Sequence, residues 1–257
     1  MQRFAGQVAV VVAGTEGIGR AIVEALIGEG AKVVVGARTK EKLTALEQEL
    51  GEACVGVPTD VRSEADVEAL IATAVSRFGG IDAVFNVAGK SAGGTILNLT
   101  EERMRSAHDI SLMGTMFGIK HAARQMIEQG RGGAIVNVSS VNSFIPAVGA
   151  GAYVSAKAGV DMLTKNAALE LARHNIRVNA VLPGLTETAM TQGMRSKPAL
   201  MEEFEARIAM GRAADVSEIA GPCLFLATKE ASYVTGATLV VDGGWALTGY
   251  PDLSKHF

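Results

Sequence analysis

The sequence predicts an α/β fold: a doubly wound, seven-stranded parallel sheet flanked by helices on both faces. Three observations carry this. Short β-rich runs alternate with longer helical patterns from one end of the chain to the other. The strand-like runs read as near-continuous Val and Ile, the pattern of strands buried on both faces. The 257 residues show no composition shift or low-complexity linker, so one domain spanning 1–257 is the simplest organisation.

Taken in order, the first three βα units place strands at 8–13, 32–36 and 54–57, each followed by a helix, at 17–29, 40–50 and 63–78. The beat continues with strands near 83–87, 134–138, 177–182 and 238–241. Helices are expected near 101–129, 152–174 and 216–227 between them. The least regular stretch, 185–199, is polar and Met-containing with Pro198, and reads as a mobile loop over the site.

Hydrophobic residues make up 48% and charged residues 20%, enough apolar material for a core that needs no disulfide staple. A net charge of −3 supplies no broad positive field for nucleic acid or an anionic membrane, so a small-molecule partner is favoured. The only cysteines, Cys54 and Cys223, lie far apart with no Cys-x-x-Cys spacing and read as reduced core residues, not metal ligands. The Val-rich start is too short for a signal segment. The uncharged stretch 132–156 is broken by Asn, Ser, Pro and Gly, which excludes a membrane span. A cytoplasmic location is expected.

Gly14-Thr15-Glu16-Gly17-Ile18-Gly19 follows the first strand and opens a helix. Backbone amides and a positive helix end are thereby placed where a pyrophosphate would sit, as in a Rossmann-like fold. A glycine-containing strand-to-helix turn also arises for purely steric reasons, so the company it keeps must decide. That company resembles the classical short-chain dehydrogenase/reductase family, whose opening is Thr-Gly-x-x-x-Gly-x-Gly. Here Val12 and Ala13 stand at the Thr and first Gly, while Gly17 and Gly19 match; Gly14 is expected to supply the lost flexibility. The resemblance runs from about residue 6 to 245, leaving a short C-terminal tail at 246–257.

After the second strand, Ala37 stands where NAD-preferring members carry an acidic residue, and Arg38 follows at once. A guanidinium there suits a 2′-phosphate, so NADP(H) is the preferred cofactor, with NAD(H) possible. Glu16 argues the other way, since its carboxylate would repel that phosphate. In the family an Asp at the Asp60 position, here followed by Val61, hydrogen-bonds the adenine; capping the next helix is the alternative reading. Asn86-Val87-Ala88-Gly89 resembles the family's Asn-Asn-Ala-Gly segment, which steadies the sheet and borders the cofactor.

Tyr153 and Lys157 lie at i and i+4, on one face of a helix. An ammonium and an oxidised nicotinamide would favour the phenolate, giving Tyr153 the means to take or give a proton. Ser140, thirteen residues earlier, matches the family's Ser…Tyr-x-x-x-Lys arrangement and would orient the substrate oxygen. Ser111 stands where the family's tetrad has an Asn that holds a relay water. Pro183, Gly184, Thr186 and Thr188 resemble the segment that holds the nicotinamide carboxamide.

The resemblance therefore implies hydride transfer between a nicotinamide and a carbonyl or secondary alcohol, without a metal, in a homotetramer or homodimer. The alternative is a cofactor-binding or regulatory protein of the same fold with little turnover, motivated by Val12, Ala13 and Ser111. Pocket walls are expected at 91–95, 141–148 and 185–194. Phe144, Ile145, Val148, Met190 and Met194 there suggest an apolar substrate portion or simple packing of the loop.

Overall fold

The computed structural model describes residues 2–249; residues 250–257 of the expected tail lie outside the described residues. The first three units are β1 (Val8–Val12), α1 (Gly17–Gly28), β2 (Lys32–Ala37), α2 (Lys40–Leu50), β3 (Cys54–Pro58) and α3 (Glu64–Phe78). After β4 (Ala83–Asn86) come α4 (Glu101–His108), α5 (Gly114–Gln129), β5 (Gly133–Val138) and α6 (Gly151–Leu171). The chain then runs through β6 (Ile176–Pro183), α7 (Ala189–Arg195), α8 (Pro198–Glu205), α9 (Val216–Ala227), β7 (Thr238–Val241) and α10 (Trp245–Thr248).

The seven strands form one parallel sheet in the order β3-β2-β1-β4-β5-β6-β7, a Rossmann-like doubly wound fold as expected. Every residue of β1 is buried because both faces are covered. The two-residue period then sorts them. Ala9 and Val11 pack with Ile22, Leu26, Ile219 and Leu224 of α1 and α9. Val8, Val10 and Val12 pack with Leu70, Ile119 and Ala167 of α3, α5 and α6. Strand order reverses between β1 and β4, opening a crevice beyond their carboxyl ends.

The helix expected over 101–129 is present with those bounds and runs through a π-helical turn, Asp109–Met113, which carries Ser111. One expectation about the connections needs correction. The stretch 185–199 is no irregular loop but holds α7 and the start of α8. Thr188 and Thr191 form a reciprocal capping box for α7, and Pro198 occupies the first turn of α8. Leu200 and Phe204 of α8 are then buried against Leu185 and Trp245, with the Phe204 and Trp245 rings edge-to-face at 5.4 Å. No helix among the described residues is long and apolar enough to cross a membrane.

At the end of β1, Ala13 has φ +65°, a left-handed conformation that L side chains adopt at a cost of about 1–2 kcal/mol. Gly14, expected to supply this flexibility, is not in that region. Ala13→Gly should therefore stabilise the fold by about 0.5–1 kcal/mol, after the extra freedom glycine brings to the unfolded chain is offset. Denaturant unfolding checks this, and a loss of stability would show that the Ala13 methyl packs better than its backbone strains.

Candidate active site

The glycine turn is shaped by close approach. Gly17 has φ +53°, and a Cβ there would meet the Thr188 methyl at 3.3 Å. At Gly19 a Cβ would stand 2.1 Å from the Ala13 carbonyl oxygen, so only glycine lets α1 start this close to β1. Gly14 faces inward, where a Cβ would lie 2.7 Å from Val35, and Ile18 packs against the core. These last two shape the cradle from behind and do not line it.

Beside the turn lies a cleft of about 500 Å³, lined by Ala13, Thr15, Glu16 and Gly17, by Arg38 after β2, by Asp60 and Val61 after β3, and by Ala88 and Gly89 after β4. It sits at the crevice that the strand order creates. Ala189 and Met190 of the expected 185–194 wall also line it, as do Thr39, Lys42, Arg62, Lys90 and Ile110, which the sequence did not single out. Their signal was weak because they come from the head of α2, the π turn and the connections after β3 and β4, whose placement only tertiary packing sets.

Two charge pairs cross this rim. Glu16 is paired with Lys42 rather than standing as a free carboxylate. The Arg62 guanidinium and backbone amide both donate to Asp60, holding its carboxyl down to about 2. Asp60 does not cap α3, contrary to the alternative reading. Ser63 does, accepting from the Asp66 amide, while the Asp60 amide donates to Asp66.

The reacting groups converge behind Gly89. Ser140 follows β5 by two residues, Tyr153 lies in the first turn of α6, and Lys157 is one turn further on. Asn86 does not line the cleft but ties the parts together. Its side-chain amide donates to Asn137 on β5 at 2.8 Å, and Asn137 donates to Thr164 on α6 at 2.9 Å. Ser139 adds a hydrogen bond to the Lys157 carbonyl at 3.2 Å. This buried chain seats α6 on the sheet, so the ends of β5 and α6 cannot drift apart.

Lys157 is buried and donates from Nζ to the Val138 carbonyl at 2.7 Å; a Cβ on Gly89 would lie 3.3 Å from the same nitrogen. The ammonium therefore stands directly behind the cleft lip. Burial lowers its pKa to about 8, with the Asp161 carboxylate one turn on pulling the other way. Tyr153 is half-buried, its ring centroid 5.8 Å from Lys157 Nζ. Burial pushes the phenol above its ordinary range, and the Ser140 hydroxyl acts against that. In the protein alone, loss of solvent thus outweighs the Ser140 hydroxyl, the group that favours the phenolate. Ser140 also accepts from the Asn142 amide at 3.1 Å, a turn-capping bond that does not use its own O–H.

Ser111 is fully buried. Its hydroxyl accepts from the Lys90 amide at 3.2 Å, and its carbonyl accepts from Thr115 at 2.7 Å. The residue fastens the segment after β4 to the π turn. Pro183, Gly184, Thr186 and Thr188 do not line the cleft. Gly184 packs against Asp242, Thr186 donates to the Gly184 carbonyl, and Thr188 lies over Gly17. Of the expected apolar wall, Phe144, Val148 and Met190 are exposed, whereas Ile145 and Met194 pack against the cluster around Trp245. Gly94 bonds to the Gly149 carbonyl at 2.9 Å, bringing the 91–95 wall beside the start of α6.

Comparison with known proteins extends this picture. The chain matches the family model described as Enoyl-(Acyl carrier protein) reductase over residues 12–246. It is 39% identical over 242 residues to a 3-alpha-(or 20-beta)-hydroxysteroid dehydrogenase of Mycobacterium bovis, covering 94% of this chain and 90% of that protein. It is 35% identical over 246 residues to an L-rhamnose-1-dehydrogenase of Scheffersomyces stipitis, covering 93% and 95%. A solved short-chain type dehydrogenase/reductase from Mycobacterium ulcerans superposes with a TM-score of 0.95 at 32% identity, over 99% of this chain and 94% of the other.

Proposed function

Because the chain belongs to the classical short-chain dehydrogenase/reductase family, we propose that it interconverts a carbonyl and a secondary alcohol, with Tyr153 as the acid/base. The observation that carries this is Lys157 Nζ directly behind the Gly89 lip of a glycine-cradled cleft, with the Tyr153 ring 5.8 Å from it and the Ser140 hydroxyl against the phenol. The backbone amides of the turn at Ala13, Thr15, Glu16 and Gly17 would hold the dinucleotide phosphates, Asp60 and Val61 the adenine, and Ala88, Gly89 and Lys157 the nicotinamide riboside. The turn fits such a group, since the side chains missing at Gly17 and Gly19 leave backbone amides exposed to it. A bound nicotinamide supplies or accepts the hydride at the substrate carbon.

In reduction, the Tyr153 hydroxyl gives its proton to the substrate oxygen while the Ser140 hydroxyl holds that oxygen in place; oxidation reverses the transfer. Lys157 keeps a positive charge beside the phenol and toward the ribose. Ser111 acts through the Lys90 amide, fixing the segment that borders the riboside. Thr186 and Thr188 support the carboxamide end by placing α7, whose Ala189 and Met190 reach the cleft.

Arg38 and the absence of an acid at Ala37 favour NADP(H) over NAD(H). Phe144, Val148 and Met190 form an apolar rim that suits a substrate with an apolar portion. The steroid and the sugar in the relatives' names show how little the framework alone selects. Exposed Met162 and Leu169 on α6 and Leu239 and Val240 on β7 suit burial between copies in a homotetramer or homodimer; its mass in solution is the check. Cytoplasmic residence goes with this reading. The alternative, a cofactor-binding protein with little turnover, draws on Ser111 and Ala13.

Burial makes Lys157 lose its proton as pH rises through about 8, well below the ordinary lysine range. Cofactor affinity is therefore expected to weaken from that pH upward, and to be weak with no such bend in Lys157→Met. An affinity flat through that region in the wild type would separate Lys157 from the ribose.

Fluorescence titration with NADPH and NADH, followed by a panel of ketones, tests the whole reading. Tighter NADPH binding with turnover supports it. Tighter NADH binding overturns the Arg38 argument alone, and binding without turnover across the panel favours the non-catalytic alternative.

A further inference from the structure

Among the groups lining the cleft, the side chains of Lys42 and Glu16 have no place in the reading so far. We propose that Lys42 exchanges its Glu16 partner for the 2′-phosphate of NADP(H), so that this pair, and not Arg38 alone, sets the discrimination between the two dinucleotides. The inference rests on the NADP(H) reading above.

Both residues line the same cleft as Arg38 and Thr39, Glu16 from the glycine turn and Lys42 from the first turn of α2. Their ion pair bridges the two walls of the cleft at its adenosine end. The side chains are about half exposed, at 48% for Lys42 and 60% for Glu16, and an ion pair so open to solvent contributes little stability. Exchanging one anion for another there is therefore cheap. A lysine is suited to it, being a compact charge on a long flexible stem.

The surroundings favour an arriving anion over the resident one. Arg38 is in no ion pair among the described residues, and it precedes Lys42 by four positions across the start of α2. Thr39, at the head of that helix, makes no side-chain cap, so the first amides of α2 add a positive end to the two cations. The other carboxylate at the rim, Asp60, is already held by Arg62. Of the two carboxylates that line the cleft, Glu16 is the one a 2′-phosphate would displace, since its partner Lys42 is the cation best placed to leave it. A doubly charged phosphate between Arg38 and Lys42 would gain two charge-assisted contacts, whereas the ribose hydroxyl of NAD(H) would gain neither.

Equilibrium dissociation constants for NADPH and NADH, read by fluorescence on the full chain, test this in three variants. Lys42→Met should weaken NADPH by about tenfold with NADH unchanged, the size expected for one lost charged contact. Glu16→Gln should tighten NADPH severalfold and leave NADH nearly as it was. Raising the salt concentration should weaken NADPH more steeply in the wild type than in Lys42→Met. If Lys42→Met shifts both cofactors equally or neither, the proposal falls. Arg38→Met then separates the causes. A selective loss of NADPH with that variant leaves the NADP(H) reading standing without Lys42, and no change in the ratio with either variant removes both.

Discussion

Tyr153→Phe is expected to slow hydride transfer by between about a hundredfold and ten-thousandfold, the range that a positioned general acid or base contributes, while cofactor binding stays close to that of the wild type. The substitution removes one oxygen and keeps the ring, so the half-buried aromatic and its 5.8 Å approach to Lys157 Nζ are preserved. The Ser140 hydroxyl remains to hold the substrate oxygen, but an aliphatic hydroxyl is a much weaker acid than a phenol and does not replace the lost proton donor. Ser139 Oγ donates to the Lys157 carbonyl. Single-turnover rates with saturating cofactor, compared with cofactor titrations of the same variant, separate the two effects. Equal loss of binding and rate would mean that the phenol serves structure; an unchanged rate would remove it from the chemistry.

Gly19→Ala should be the most damaging small substitution in the cofactor turn. The new methyl would lie 2.1 Å from the Ala13 carbonyl oxygen and 3.0 Å from the Ala13 carbonyl carbon and Gly14 Cα, all backbone atoms that no side-chain rotation can move. Relief requires α1 to back away from β1, at a cost of about 1–3 kcal/mol, typical of overpacking. The same movement pulls the helix amides out of the cradle, so cofactor affinity should fall by more than about tenfold. Gly28, in the last turn of the same helix, is the internal control. Nothing lies within 4 Å of a Cβ there, and Gly28→Ala should leave affinity unchanged while raising stability by about 0.5–1 kcal/mol. Equal effects at the two sites would mean that helix propensity, not close approach, governs this turn.

What could be read from residue order was what depends on local periodicity and on groups close in the chain. Apolar Val runs buried on both faces, separated by helical patterns, imply a parallel sheet, and α9 and β7 begin and end where the pattern places them. Tyr153 and Lys157 are one helical turn apart, so their common face follows from helix geometry alone. The pattern failed where local capping chemistry makes a helix that polarity hides: α7 depends on a Thr-Thr capping box inside a stretch too polar to read as helix. The π turn within the helix at 101–129, where Ser111 accepts from the Lys90 amide, left no mark in the periodicity.

Charge and solvation at the site escaped the sequence for a different reason: they depend on distance and burial. Glu16 reads as an obstacle to a phosphate until the fold puts Lys42, 26 residues on, against it. Asp60 reads as a cap until Ser63 takes that place and Arg62 closes on the carboxylate. Lys157 reads as the group that acidifies Tyr153, yet packing α6 against β5 removes water from both, raising the phenol and lowering the ammonium. The sequence by itself determined the fold class, the glycine turn and the three side chains proposed to react, because periodicity and residue type are local properties. Only the tertiary structure decided which charges are paired, which residues line the cleft and how far each titrating group is withdrawn from solvent, because electrostatic energy is set by separation in space and by the water that packing excludes.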